Sequence, residues 1–271
     1  MNEEVEQAII ERNVIVDVVA GKTSHFLPFV TDPDSRIDPV SQERLALQVY
    51  KGSVKRLHDK PGEKDSIIQS EKKLHDLGYV DWVDNLPSDI QDMIRSKVKY
   101  IIPWRVVYNS NSVSTPCRLV FDASASARGK YCLNSLLAKG TNNLNNMVMI
   151  MIRWLCHSYA FHTDISKMYN TIWLDSAHWR YQLYFWNDEL KLGVEPRLKA
   201  IKTAIYGVRP SGNVADCGIK KTAEITKLQY PKAYDVMMND LYVDDTMGGA
   251  ESYAERLKVI EEFSGAKLPV L

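Results

Sequence analysis

The order of apolar and polar positions divides the chain into helical and extended stretches. A β-branched run, Val14-Ile15-Val16-Asp17-Val18-Val19, ends at Ala20-Gly21 and predicts a strand inside an N-terminal extension over residues 1–33. Asp38-Pro39 is a helix start: an acidic N-cap precedes a proline whose missing N–H costs nothing in the first turn. Leu47, Tyr50, Val54 and Leu57 then recur at helical spacing until Pro61-Gly62. Ile67, Leu74 and Leu77 do the same until Gly78, a residue suited to a left-handed cap. The spacing predicts an antiparallel helix pair with a core-facing stripe, within a helical region over residues 34–97.

From Val98 the period becomes that of strands. Tyr100 to Tyr108 and Thr115 to Phe121 flank the polar turn Asn109-Ser110-Asn111-Ser112, a β-hairpin pattern with basic residues on both arms. The most apolar stretch, Met147 to Phe161, is interrupted by Arg153 and His157 and is too short to span a bilayer. It predicts a buried helix over Met147 to Trp154 running into a strand at Tyr159 to Thr163. A short helix near Ser166, a strand at Tyr181 to Trp186 and a helix after Ser211 follow. A last hairpin centres on Asp244-Asp245, and Ser252 to Phe263 can form an amphipathic helix with Tyr253, Leu257 and Ile260 on one face. Helices interspersed with strands able to pair antiparallel predict an α+β fold rather than a doubly wound sheet.

Composition narrows the class. With 271 residues, 45% hydrophobic and 25% charged, the chain can bury a sizeable core. Cys117, Cys132, Cys156 and Cys217 lie far apart with no C-x-x-C pair, which argues against zinc and for a reduced, intracellular setting. The acidic start, Met1-Asn2-Glu3-Glu4, is not followed by the apolar run of an export signal. Gly21-Lys22-Thr23 resembles the end of a phosphate-binding loop, but Val16 stands where that loop needs glycine. Lys plus Arg equal Asp plus Glu at 34 each, so net charge does not argue for a nucleic-acid partner. The distribution says more: from Arg95 to Lys139 the basic residues, among them Arg105, Arg118, Arg128 and Lys130, meet the single acid Asp122. Such a stretch reads equally as a phosphate-facing surface or a solvated face.

Candidate chemistry centres on Leu241-Tyr242-Val243-Asp244-Asp245-Thr246-Met247-Gly248. Two adjacent carboxylates at a hairpin tip repel unless a cation bridges them, although a bare Asp-Asp pair is more often an exposed turn. A second strand ending in an acid, Phe161-His162-Thr163-Asp164, changes that balance. Carboxylates from separate strands are the usual means of holding two metal ions for in-line phosphoryl transfer.

These segments together resemble reverse transcriptases. Tyr242-Val243-Asp244-Asp245 matches their palm motif, and Phe161 to Tyr169 is similar to their first aspartate motif. Arg118 to Ser124 resembles the second fingers arm, and Ile205-Tyr206-Gly207-Val208-Arg209-Pro210-Ser211-Gly212 the loop and helix behind the incoming nucleotide. All four occur in the family's order, and the wording is most similar to Pao-type long-terminal-repeat retrotransposon polyproteins over roughly residues 35–262.

The resemblance implies a right-hand polymerase, with fingers over 98–158 and an antiparallel palm sheet backed by helices over 159–271. It implies that Asp164, Asp244 and Asp245 are catalytic and hold Mg²⁺ or Mn²⁺. Arg118 would lie against the triphosphate, Ser211 and Gly212 would back the nucleotide, and Tyr169 would exclude a ribose 2′-hydroxyl unless its ring is only core packing. Arg105, Arg128 and Lys130 would follow the phosphates of an RNA or DNA template and its primer. Deoxynucleoside triphosphates would be the substrates, with no membrane partner, in a cytoplasmic setting that includes element-encoded particles. Ser211 stands where the family often has glutamine, and the first fingers arm lacks a clear counterpart of a common lysine. The family continues into closing palm strands, a thumb and ribonuclease H, for which residues 264–271 leave no room. An inactive remnant that keeps the fold and weak nucleic-acid affinity is the alternative, and a metal-dependent nuclease a third.

Overall fold

The computed structural model describes residues 2–108 and 117–266. In chain order it contains α1 (Glu3–Asn13), β1 (Val14–Asp17), β2 (Lys22–His25), α2 (Pro33–Arg36), α3 (Pro39–His58), α4 (Pro61–Asp76), β3 (Val80–Trp82) and α5 (Ser88–Ser96). Next come β4 (Trp104–Tyr108), β5 (Cys117–Phe121), α6 (Met147–Cys156), β6 (Tyr159–Asp164), β7 (Ile172–Leu174), β8 (Leu183–Trp186) and β9 (Arg197–Ile201). The series ends with α7 (Ser211–Thr226), α8 (Pro231–Asn239), β10 (Leu241–Tyr242), β11 (Asp245–Ala250) and α9 (Tyr253–Ala266). Mixed helices and small antiparallel sheets make this an α+β chain. Among the described residues no helix is long and apolar enough to cross a membrane.

The chain divides into two compact units, each drawn from separate sequence ranges. The first joins Met1–Phe26, Lys139–Trp173 and Pro210–Leu271. Its first helix is capped by Asn2, whose side chain accepts the Glu4 N–H at 3.1 Å, and Glu3, Glu4 and Glu6 suit the positive end of the dipole. This helix lay unforeseen in the N-terminal extension; the strand expected after it is β1, paired antiparallel with β2. α7 packs on α1 and β1, while α6, α8 and α9 back the sheet β10-β11-β6.

The expected buried helix at Met147 is a correction. α6 forms, but it buries only Ile150, and Val148, Met149, Met151, Ile152 and Leu155 are exposed. One side seats on β11, and the Trp154 indole donates to the Phe161 carbonyl of the neighbouring β6 at 2.8 Å. A helix apolar on all sides carries no periodicity to say which face goes inward.

The second unit joins Leu27–Ala138 and Leu174–Arg209. Asp38 caps α3 as expected, its carboxylate accepting the Ser41 N–H at 3.1 Å, and Tyr50, Val54 and Leu57 enter the core. Pro61 does not merely end this helix but opens the next in its first turn, because proline is as well suited to starting a helix as to stopping one. Ile67 is buried in α4, whereas Leu77 is exposed just before Gly78 at φ +74°. The two helices pack on each other, α3 also on β4 and β8 and α4 on β3 and β5.

The expected hairpin is narrower than its apolar run. β4 and β5 pair from Trp104 opposite Phe121 to Tyr108 opposite Cys117, and Tyr100 to Pro103 instead runs beside β8 through Ile101 and Leu183. Asn109 to Ser112 and Thr115 lie outside the described residues. The strand expected at Tyr181 begins at Leu183 and pairs with β9, which pairs in turn with β3. The short helix expected near Ser166 is a 3₁₀ turn at Met168–Thr171.

Candidate active site

The candidate acids sit on the sheet β10-β11-β6 of the first unit. Along β6 the side chains alternate, so Phe161 is buried while His162 and Asp164 share the exposed face. β11 runs antiparallel with Asp245 opposite Asp164, Met247 opposite His162 and Gly248 opposite Phe161. A Cβ at Gly248 would come within 2.5 Å of the Phe161 ring, so only glycine lets that ring lie across the neighbouring strand. This fixes the register, since a one-residue slip would carry Asp245 to the opposite face.

Tyr242 pairs with Asp245, leaving Val243 and Asp244 as a two-residue loop. Val243 takes φ +59°, a left-handed backbone that a β-branched residue rarely adopts and that costs roughly 1–3 kcal/mol. The Ile165 N–H donates to the Asp244 carbonyl at 2.8 Å and ties the loop to the end of β6.

Directly opposed residues on antiparallel strands bring their Cβ atoms to about 4.5–5.5 Å, so Asp164 and Asp245 present two negative charges to one small volume. Their near neighbour is His162, whose Nε2 lies 3.0 Å from Asp245 Oδ1. Asp164 is exposed and Asp245 about half-exposed on that face. Among the described residues no three His, Cys, Asp or Glu side chains are gathered as a ready ligand set. Two carboxylates so placed could hold a divalent cation only with water or phosphate oxygens completing its shell, the manner in which Mg²⁺ is usually held.

Tyr169 follows in the 3₁₀ turn after β6. Burial, and next the negative charge of Asp244, push its phenol upward. A Cβ at Gly212 would stand 3.9 Å from the Tyr169 hydroxyl. The fold thus brings together Asp164, Asp244, Asp245, Tyr169 and Gly212, with Ser211 buried in the first turn of α7.

The other candidates belong to the second unit. Arg118 is exposed on β5 opposite Val107, and Arg128 is also exposed. Arg105 lies 3.6 Å from Asp122, and Lys130 lies 2.9 Å from Asp38. The Lys130 ammonium and the Ser41 groups hold the Asp38 carboxyl down to about 2. Part of the basic stretch is thus answered by acids, Arg105 by Asp122 within the stretch, Lys130 by the remote Asp38, and Arg95 by Asp84 and by Asp92 three residues before it. Within this unit the segment Ile205 to Arg209 is fixed by Asn134, which donates to the Gly207 carbonyl and accepts the Arg209 N–H, each at 2.8 Å. Gly207 sits at φ +93° with the Phe121 carbonyl where a Cβ would be, so no side chain fits there.

His162, Val243 and Gly248 were not singled out from sequence. His162 stands two positions before Asp164, and period-2 alternation alone would have put it on the acids' face. Neither the models of known protein families nor the curated proteins include a match to this chain.

Proposed function

We propose that the chain is the catalytic part of an RNA-directed DNA polymerase, the fingers and palm of a right-hand fold, joining deoxynucleotides to a primer 3′-hydroxyl. The observation that carries this reading is Asp164 opposite Asp245 on adjacent strands, with Asp244 in the loop from β10 into β11 and Tyr169 near it. A bare Asp-Asp turn would need no second strand ending in an acid.

Asp164 and Asp245 would hold Mg²⁺ or Mn²⁺, with Asp244 completing the acidic rim. When bound, the ions supply positive charge that favours the attacking alkoxide and the departing pyrophosphate. The remaining work falls to positioning. Tyr169 fills space beneath the sugar and disfavours a 2′-hydroxyl, Gly212 leaves room for the ring, and Ser211 closes the first turn of α7. Arg118 offers a planar, permanently charged fork to the triphosphate. Arg105, Arg128 and Lys130 follow template and primer phosphates, the first and last of them in exchange for their present acids. The reading carries with it an intracellular setting.

Primer extension on an RNA template, with Mg²⁺ and then Mn²⁺, tests this. Template-dependent addition of deoxynucleotides supports it. A folded chain that binds primer/template yet adds nothing with either ion supports a second reading, an inactive descendant retaining the fold. The observation in favour of that one is that His162, rather than a third acid, is the close neighbour of Asp245.

A further inference from the structure

A second site lies in the same unit, between α1, β1 and α7. These elements line an open cavity of about 550 Å³, within the range of small-molecule pockets. Val14, Val16, Cys217 and Ile225 give it an apolar wall. The polar groups around that wall are unequally satisfied, and the imbalance has a direction.

The cations are already committed. Lys221 Nζ donates to the carbonyls of Glu11 and Val14 at 2.5 and 2.7 Å, which ties it to the C-terminal end of α1. Lys220 Nζ donates to the Asn143 carbonyl at 3.1 Å and pairs with Asp216 at 2.9 Å. What remains is acceptor capacity. Glu11 and Glu224 line the cavity without a close ion pair among the described residues: the Gln7 amide donates to Glu11, the Tyr234 phenol donates to Glu224, and the Lys227 ammonium acts on Glu224 only from beyond salt-bridge distance. Gln7, more than nine-tenths buried, leaves its Oε1 with no donor. Two lysines against Glu11, Asp216 and Glu224 leave the lining with one net negative charge.

We propose that this cavity binds an organic cation, a protonated amine carried on an apolar body. The body covers the Val14, Val16 and Ile225 wall. The ammonium supplies what the site lacks, three N–H donors and a positive charge, to Glu11, Glu224 and the Gln7 oxygen. An anion would meet the unpaired carboxylates, and a neutral alcohol would answer the acceptors without the charge. The inference rests on this cavity alone and stands whatever the candidate active site does.

Chemical-shift titration of the full chain with hexylammonium chloride, hexanol and sodium hexanoate tests the proposal. Hexylammonium is expected to shift resonances of the cavity residues and to bind more tightly than the other two. Glu11→Gln with Glu224→Gln, both exposed positions that should not disturb folding, is expected to weaken it about five- to tenfold. Val16→Phe, which fills the apolar wall, is expected to abolish binding of hexylammonium and hexanol alike. Hexanoate binding as tightly as hexylammonium, indifference to either variant, or no shift with any of the three would overturn the proposal.

Discussion

Two acidic regions of this molecule meet opposite fates. In the second unit Glu71 is 2% exposed, yet its carboxylate accepts from the Tyr184 hydroxyl at 2.6 Å and from Lys199 at 2.7 Å. Burial, then the Glu71 charge, raise the Tyr184 phenol well above its ordinary value, so it stays a donor. Trp82 covers the Lys199 ammonium, whose nitrogen lies 4.3 Å from the ring centroid. Every charge there has an answer within the fold. In the first unit Asp164 faces Asp245, a like charge, and among the described residues the one close partner of the pair is the exposed imidazole of His162. Burial forces satisfaction because an unpaired buried charge is expensive, whereas exposure lets a repulsive pair persist because water screens it. A carboxylate that the fold leaves unanswered is available for an external cation, and that difference separates a structural acid from a candidate catalytic one.

The sharpest way to break the comparison is to neutralise one acid of the exposed pair. Asp245→Asn is expected to lower primer extension on the order of a thousandfold, as loss of a key charge-stabilising group does. Its thermal midpoint should be no lower than that of the parent, because a repulsion has been removed. A variant that still extends primers, or that unfolds, would move Asp245 among the structural acids.

The opposite result is expected in the core. Glu71→Leu or Lys199→Met alone should each cost about 3–5 kcal/mol in urea unfolding by stranding a buried charge, and the double replacement should recover most of it. Additive losses in the double variant would mean that the pair does not act as a unit.

Gly248→Ala tests the link between core and site. Its Cβ meets the Phe161 ring at 2.5 Å, so a loss of about 1–3 kcal/mol is expected, with weaker Mn²⁺ binding as Asp245 shifts against Asp164. Phe161→Leu in the same chain should relieve part of it; a stable Gly248→Ala with unchanged Mn²⁺ binding would detach the register from that ring.

The smallest effect belongs to a half-buried imidazole. His178 Nδ1 accepts the Leu27 N–H at 2.9 Å, which requires the unprotonated nitrogen, and burial holds its pKa below the usual value near 6.5. A depressed histidine contributes stability that is complete above the unfolded value and declines as pH falls through the folded one. Unfolding free energy should therefore drop below about pH 6.5, and His178→Gln, which keeps an acceptor, should flatten that limb. A pH profile identical in both chains would remove His178 from the account.

Much of this was legible along the chain. The Asp38 cap, the stripe of Tyr50, Val54 and Leu57, the strand ending at Asp164 and the hairpin carrying Asp244 and Asp245 all follow from interactions within a few residues. Capping, turn chemistry and side-chain alternation act at that range, so the sequence by itself determined them. Short helices such as α5 and α8 escaped because nine residues fall short of the window over which a helical period is read. Only the tertiary structure decided which acid faces which, because register is set by Phe161 lying over a glycine far along the chain. It also decided that Asp38 answers Lys130, that Asp122 answers Arg105, and that α6 turns Ile150 inward while Leu155 meets solvent. Each of these depends on a partner remote in sequence, and local propensity carries no information about a group that arrives only when the chain has folded.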